Sequence, residues 1–134
     1  MVLVGGCNDC HTEGFAEANG DVAEDVWLTG SRVGFRGPWG TSYPPNLRLT
    51  VQGMSEDEWS EMGRSRIGLP PMPWPSLHAM TDEDRQAVYR YLRSLGPLGG
   101  PAPTPLPPSQ EPQGPWIDFT VHGPSSPQVV GVAL

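Results

Sequence analysis

A chain of 134 residues has room for one domain and little more. Glycine and proline each occur 17 times against 37% apolar residues, which excludes an architecture of long helices or a large sheet. The formal charge is -7 and all eight basic residues are arginine, so there is no basic stripe for nucleic acid, and no run approaches the ~18 apolar residues of a membrane span.

Val2-Leu3-Val4 opens the chain ahead of Gly5-Gly6 and reads equally well as strand or helix; the motif that follows selects helix. The residues MVLVGG are too short for a secretory signal, so the chain does not display its own export. After the two cysteines, Cys7 and Cys10, a long Gly-rich loop runs to about residue 50. Ser55-Glu56-Asp57-Glu58 is a capping box, and Trp59 and Met62 share a face behind it, which predicts a helix of two or three turns. A rigid proline-rich turn follows at Gly68-Leu69-Pro70-Pro71-Met72-Pro73-Trp74-Pro75. Thr81 then caps a helix near 82–95, with Asp82, Glu83 and Asp84 in the first turn. Val88, Tyr91, Leu92 and Leu95 form its apolar stripe, Arg85, Arg90 and Arg93 take its other faces, and Gly96-Pro97 ends it. The expected division is a domain over 1–96 and a proline-rich extended tail over 97–134. Trp116, Ile117, Phe119 and Val121 are apolar enough to dock the tail as a strap. The acidic clusters read mainly as solvated faces.

Cys7-Asn8-Asp9-Cys10-His11 is a CxxCH motif, and its cysteines are the only two in the chain. Two intervening residues let both thiols reach the vinyl groups on one edge of a haem, and the adjacent histidine then supplies an axial imidazole. Three other readings compete. A thioredoxin-like pair wants a preceding strand and a parallel-sheet pattern. Structural zinc wants four ligands, and only His78 and His122 remain. A plain disulfide is the third. For the opposite face of a haem, Met72 is the leading candidate, because prolines on both sides fix its backbone. Met54, Met62 and Met80 read as core residues or a helix staple, and His78 and His122 as hydrogen-bonded side chains.

With these residues in view the chain resembles class I c-type cytochromes, and more closely the bacterial mono-haem cytochrome c domains associated with dehydrogenases. The matching stretches are GGCNDCHT at 5–12, GPWGTSYPPNLR at 37–48, PPMPW at 70–74 and TDEDRQAVYRYLRSLGP at 81–97. The resemblance implies an all-α fold, a few short helices and long loops wrapped around one haem c. The haem would be covalent through Cys7 and Cys10, with His11 and Met72 as axial ligands. It implies that Pro45, with Pro44 as its neighbour, offers its carbonyl to the other ring nitrogen of His11. It also implies that the N-terminal helix packs near Tyr91 and Leu92, although only six residues precede Cys7 where the family has a longer helix.

The implied role is electron transfer rather than enzyme catalysis, in the periplasm or on the outer face of the cytoplasmic membrane. The partners would be a dehydrogenase, another cytochrome or an oxidase. Electrons would pass at the haem edge near Cys7 and Cys10, where the absence of lysine rules out a lysine ring. The alternative is a haem-c enzyme or ligand sensor with an open sixth position. Trp27, Trp39, Trp59 and Trp74 are candidates to line the haem, and Arg32, Arg36, Arg48, Arg64 and Arg66 to pair with its propionates.

Overall fold

The computed structural model describes residues 1–124; residues 125–134 of the expected tail lie outside them. In chain order the elements are α1 (Cys7–His11), β1 (Gly34–Gly37), β2 (Gly40–Ser42), α2 (Leu47–Thr50), α3 (Glu56–Ser65), α4 (Trp74–Ala79), α5 (Asp82–Leu95) and β3 (Trp116–Asp118). Short 3-10 turns lie at Glu24–Val26 and Val51–Gly53.

The expected all-α fold is therefore corrected: the chain is mixed α/β, with five helices and a three-stranded sheet of order β2-β1-β3 among the described residues. β1 and β2 form a tight hairpin, with Gly37 opposite Gly40 and Phe35 opposite Ser42. β3 returns from the far end of the chain and pairs parallel to β1, with Phe35 opposite Ile117. The physical reason is local β preference. Phe35, Thr41, Trp116 and Ile117 are aromatic or β-branched residues that suit a pleated surface. Phe119 then meets the rings of Phe35 and Trp39, with centroids 5.4 and 6.4 Å away, and fixes the strand on the domain. The tail thus docks through Trp116, Ile117 and Phe119, but Val121 points away and is 94% exposed.

The helices follow their local signals. At α3 both arms of the capping box form: Ser55 Oγ accepts from the Glu58 amide, and Glu58 accepts from the Ser55 amide. Thr81 accepts from the Asp84 amide and caps α5. Val88 and Leu92 of α5 bury their side chains with Trp59 of α3, Val51, Leu28 and Val2. Each such side chain contributes roughly 1.5–3 kcal/mol on leaving water. The Trp59 indole N–H donates to the Arg85 carbonyl at 2.9 Å, and the Tyr89 hydroxyl to the Met54 carbonyl at 2.8 Å. Residues 1–6 form turns rather than the expected helix, since Gly5 and Gly6 interrupt it. Val2 nevertheless reaches the same core as Leu92, while Leu3 and Val4 are exposed.

Two buried arginines close helix ends. Arg48 donates to the carbonyls of Leu95 and Gly96 at the C-terminus of α5, both at 2.6 Å, and to that of Asp25 at 2.7 Å. Arg85 donates to the carbonyls of Leu77 and His78 at the end of α4 and to Asp82. A guanidinium satisfies several last-turn carbonyls at once and complements the negative end of the helix dipole. Arg85 is thus buried between α4 and α5 rather than lying on a solvated face.

Tyr91 of α5 donates its hydroxyl to Glu24 Oε1 at 2.6 Å. Burial, and then the Glu24 carboxylate, push its pKa up to about 12. An unfolded tyrosine ionises near 10, so above that pH the unfolded chain releases a proton that the folded chain keeps. Stability is therefore expected to fall as pH rises from about 10 to about 12. A spectrophotometric titration should show one of the three tyrosines ionising last, and Tyr91→Phe should remove that step.

Candidate functional site

α1 is a single helical turn that carries Cys7, Cys10 and His11 together. Residues three apart in a helix share a face, which puts both sulfurs on one side. The two thiols are half-buried and not joined to each other. Burial pushes both thiols up from their ordinary pKa, and the neighbouring Asp9 carboxylate pushes the same way. They are therefore protonated at neutral pH. A reactive redox dithiol is tuned in the opposite direction, towards thiolate.

His11 is 6% exposed. Its Nδ1 lies 2.9 Å from the Pro45 carbonyl oxygen. A carbonyl only accepts, so Nδ1 carries the proton and Nε2 carries the lone pair. Burial lowers the ring's pKa, against the opposing effect of the Pro45 bond, so the imidazole is neutral at neutral pH. Nε2 has no hydrogen-bond partner among the described residues. The arrangement is that of an oriented imidazole ligand, with its other nitrogen held by a backbone carbonyl.

The surrounding backbone holds this geometry. Gly30 N–H donates to the His11 carbonyl at 2.8 Å, and Ser31 N–H to the Pro44 carbonyl at 3.1 Å. Gly30 has φ of +82°, and a Cβ there would lie 2.7 Å from the Asn46 nitrogen and 2.9 Å from the Pro44 oxygen and the Pro45 carbonyl carbon. Only glycine lets the two segments approach so closely. Leu28, fully buried, also takes a left-handed φ of +63°. Its amide bonds Thr12 Oγ1 at 2.8 Å and its carbonyl accepts from the Leu47 amide at 3.1 Å. The backbone strain of roughly 1–2 kcal/mol is comparable to what burial of the leucine contributes.

Met72 lies on the proline-rich loop before α4, half-buried. Ser42 Oγ donates to the Pro70 carbonyl at 2.6 Å and joins that loop to β2, three residues before Pro45. No hydrogen bond ties Met72 itself to Cys7, Cys10 or His11. The rival methionines are accounted for: Met54, Met62 and Met80 pack against the apolar core, and Met72 does not. The rival histidines are engaged as well. His78 Nε2 donates to the Arg66 carbonyl at 2.6 Å, and His122 Nε2 meets Asp118 at 2.6 Å. That contact, with the Thr120 amide, holds the Asp118 carboxyl down at about 2.

Several expected neighbours lie elsewhere. Arg48 is committed to α5, Arg36 to the carbonyls of Pro108 and Gln110, and Arg64 to Glu61 and Asp82. Arg32 is exposed beside Glu13. Arg66, the C-cap of α3, is the one nearest the Met72 loop in sequence, with its guanidinium 5.5 Å from the Trp74 ring centroid. Trp59 belongs to the α3–α5 core, and Trp39 to the sheet with Phe119. Trp27 sits edge-on to Phe15. Gly30 was missed as a site residue, and Asn46 lay in the matching stretch at 37–48 without a role of its own; a lone glycine in a loop gives no signal until its spatial neighbours are known.

Among the described residues no three His, Cys, Asp or Glu side chains converge to hold a bare metal ion. A porphyrin brings its own nitrogens to the iron, so one imidazole and one thioether complete its ligand set. The donors present therefore fit haem better than zinc. Comparison of the chain with family models, curated proteins and solved structures finds no match.

Proposed function

We propose that this chain holds one haem c through Cys7, Cys10 and His11 and serves as an electron-transfer protein. One observation carries the reading. Pro45 fixes His11 Nδ1 and leaves Nε2 unprotonated, on the same helical turn as two unpaired thiols.

The roles follow from the residues. The protonated thiols of Cys7 and Cys10 share one face of α1 and are placed to form thioether links to a porphyrin edge. The Pro45 carbonyl keeps the imidazole in one tautomer and raises its basicity. Met72 stands outside the apolar core on a loop braced by prolines, available as a thioether donor. When bound, the haem supplies a one-electron ferric/ferrous couple. His11 and Met72 would both be committed to the haem iron and would leave no place there for a small-molecule substrate, so the fitting partners are redox proteins: a dehydrogenase, another cytochrome or an oxidase. Among the described residues no helix is long and apolar enough to cross a membrane. The reading places the chain in the periplasm or at the outer face of the cytoplasmic membrane.

The test is a reduced-minus-oxidised spectrum of the exported protein, followed by the same on Met72→Ala. The parent protein should show a low-spin haem c spectrum insensitive to carbon monoxide. Met72→Ala should turn high-spin, bind carbon monoxide and lose on the order of 0.1 V in potential, within the ~0.8 V that axial ligands span. Carbon monoxide binding by the parent would instead mark a haem enzyme or sensor with an open sixth position. A colourless protein would sink both.

A further inference from the structure

We propose that Asn46 is a positioning residue that couples the C-terminal strap to the imidazole of His11; the inference rests on the haem reading and extends it. Asn46 is 3% exposed and uses its whole amide. Its Oδ1 accepts from the Leu49 amide at 3.2 Å and caps α2. Its Nδ2 donates to the carbonyls of Leu98 at 2.7 Å and Gly100 at 3.1 Å, just beyond the end of α5. The residue directly before it is Pro45, whose carbonyl holds His11 Nδ1.

The backbone of 44–46 is thus gripped from two sides. On one side Gly30 lies so close that a Cβ could not be added. On the other the strap holds Asn46 through two part-buried hydrogen bonds. The strap is itself anchored to the hairpin that leads into Pro44. Thr41 and Leu106 exchange backbone hydrogen bonds at 2.8 and 2.9 Å, and a Cβ at Gly40 would meet the Leu106 oxygen at 2.1 Å. Residues 98–106 therefore span from Asn46 to β2, bracing both ends of Tyr43–Pro45. Loss of the Asn46 donors frees the Pro45 carbonyl to drift. The bond to Nδ1 lengthens, the imidazole becomes less basic, and the ferric state loses stabilisation.

Serine tests this, because it keeps a capping oxygen and the neutral charge but cannot reach Leu98 and Gly100. In the full-length exported protein, Asn46→Ser is expected to raise the haem reduction potential. It should also speed exchange of the His11 Nδ1 proton, followed by NMR, by about fivefold or more, as expected for loss of one hydrogen bond. Asn46→Thr serves the same purpose if the serine variant does not fold. Phe119→Ala is the control: it loosens the far end of the strap against Phe35 and Trp39 without touching residues 44–46 or 98–100. It should lower stability and leave the potential and the exchange rate in place. Equal shifts in the Asn46 and Phe119 variants, or no shift in the Asn46 variants, overturn the proposal. If the parent chain carries no haem, the functional reading fails, and the exchange rates still decide whether Asn46 holds Pro45 on His11.

Discussion

His11→Ala is expected to abolish the low-spin haem spectrum and leave little mature holoprotein. The variant removes the one side-chain nitrogen on α1 that carries a lone pair, and it strands the Pro45 carbonyl without its donor. Losing an outer-shell partner of a metal ligand typically costs about 10–100-fold in metal affinity, and loss of the ligand itself should exceed that. Any haem still attached through Cys7 and Cys10 would be high-spin and open to carbon monoxide. The checking measurement is the absorbance spectrum of exported protein, with total protein measured by immunoblot to separate failed maturation from failed folding. An unchanged low-spin spectrum would refute His11 as ligand, and with it the reading of the site.

Gly30→Ala is expected to be strongly destabilising and to disturb the site as well. At φ of +82° an alanine costs roughly 1–2 kcal/mol in the left-handed region. Its Cβ would lie 2.7–2.9 Å from backbone atoms of residues 44–46, which have no rotamer to yield. Such overpacking adds about 1–3 kcal/mol, a large part of the ~5–15 kcal/mol that holds a typical domain together. The melting temperature should drop by about 10 °C or more. Because the displaced backbone carries Pro45, the His11 hydrogen bond should weaken too. Any variant that still matures should therefore show a raised reduction potential. Gly14→Ala is the contrasting case: its Cβ meets nothing within 4 Å, so it pays only the backbone term for its φ of +79°. Equal melting temperatures for the two variants would show that the close approach to residues 44–46 is unimportant.

Much of the helical half was legible in short windows. The capping box at Ser55, the Thr81 cap and the stripe containing Val88 and Leu92 each act within one helix, and all three formed where the pattern put them. The CxxCH spacing likewise placed two thiols and an imidazole on one turn, because neighbours in sequence are neighbours in a helix. The resemblance led further, to Pro45, and the Pro45 carbonyl does meet His11 Nδ1.

The sheet was not legible. β1 and β3 are separated by most of the chain, and nothing in Gly34–Gly37 announces Trp116–Asp118 as its parallel partner. Arg48 and Arg85 escaped for a different reason. A charged residue is expected at the surface unless paired, and their partners are helix-end carbonyls brought in by tertiary packing.

By itself, then, the sequence determined which chemistry the chain offers: a pair of thiols, a histidine beside them, a proline-braced methionine and the two capped helices. Those follow from covalent spacing and from interactions a few residues long. Tertiary structure alone decided that the tail joins a sheet, that two arginines close helix ends, and that Gly30 and Asn46 clamp the carbonyl on His11. Apart from those of Arg85, whose partners Leu77 and His78 lie just across one turn between helices, such contacts join residues far apart in sequence, and their energy appears only once the chain has paid the entropy of bringing them together.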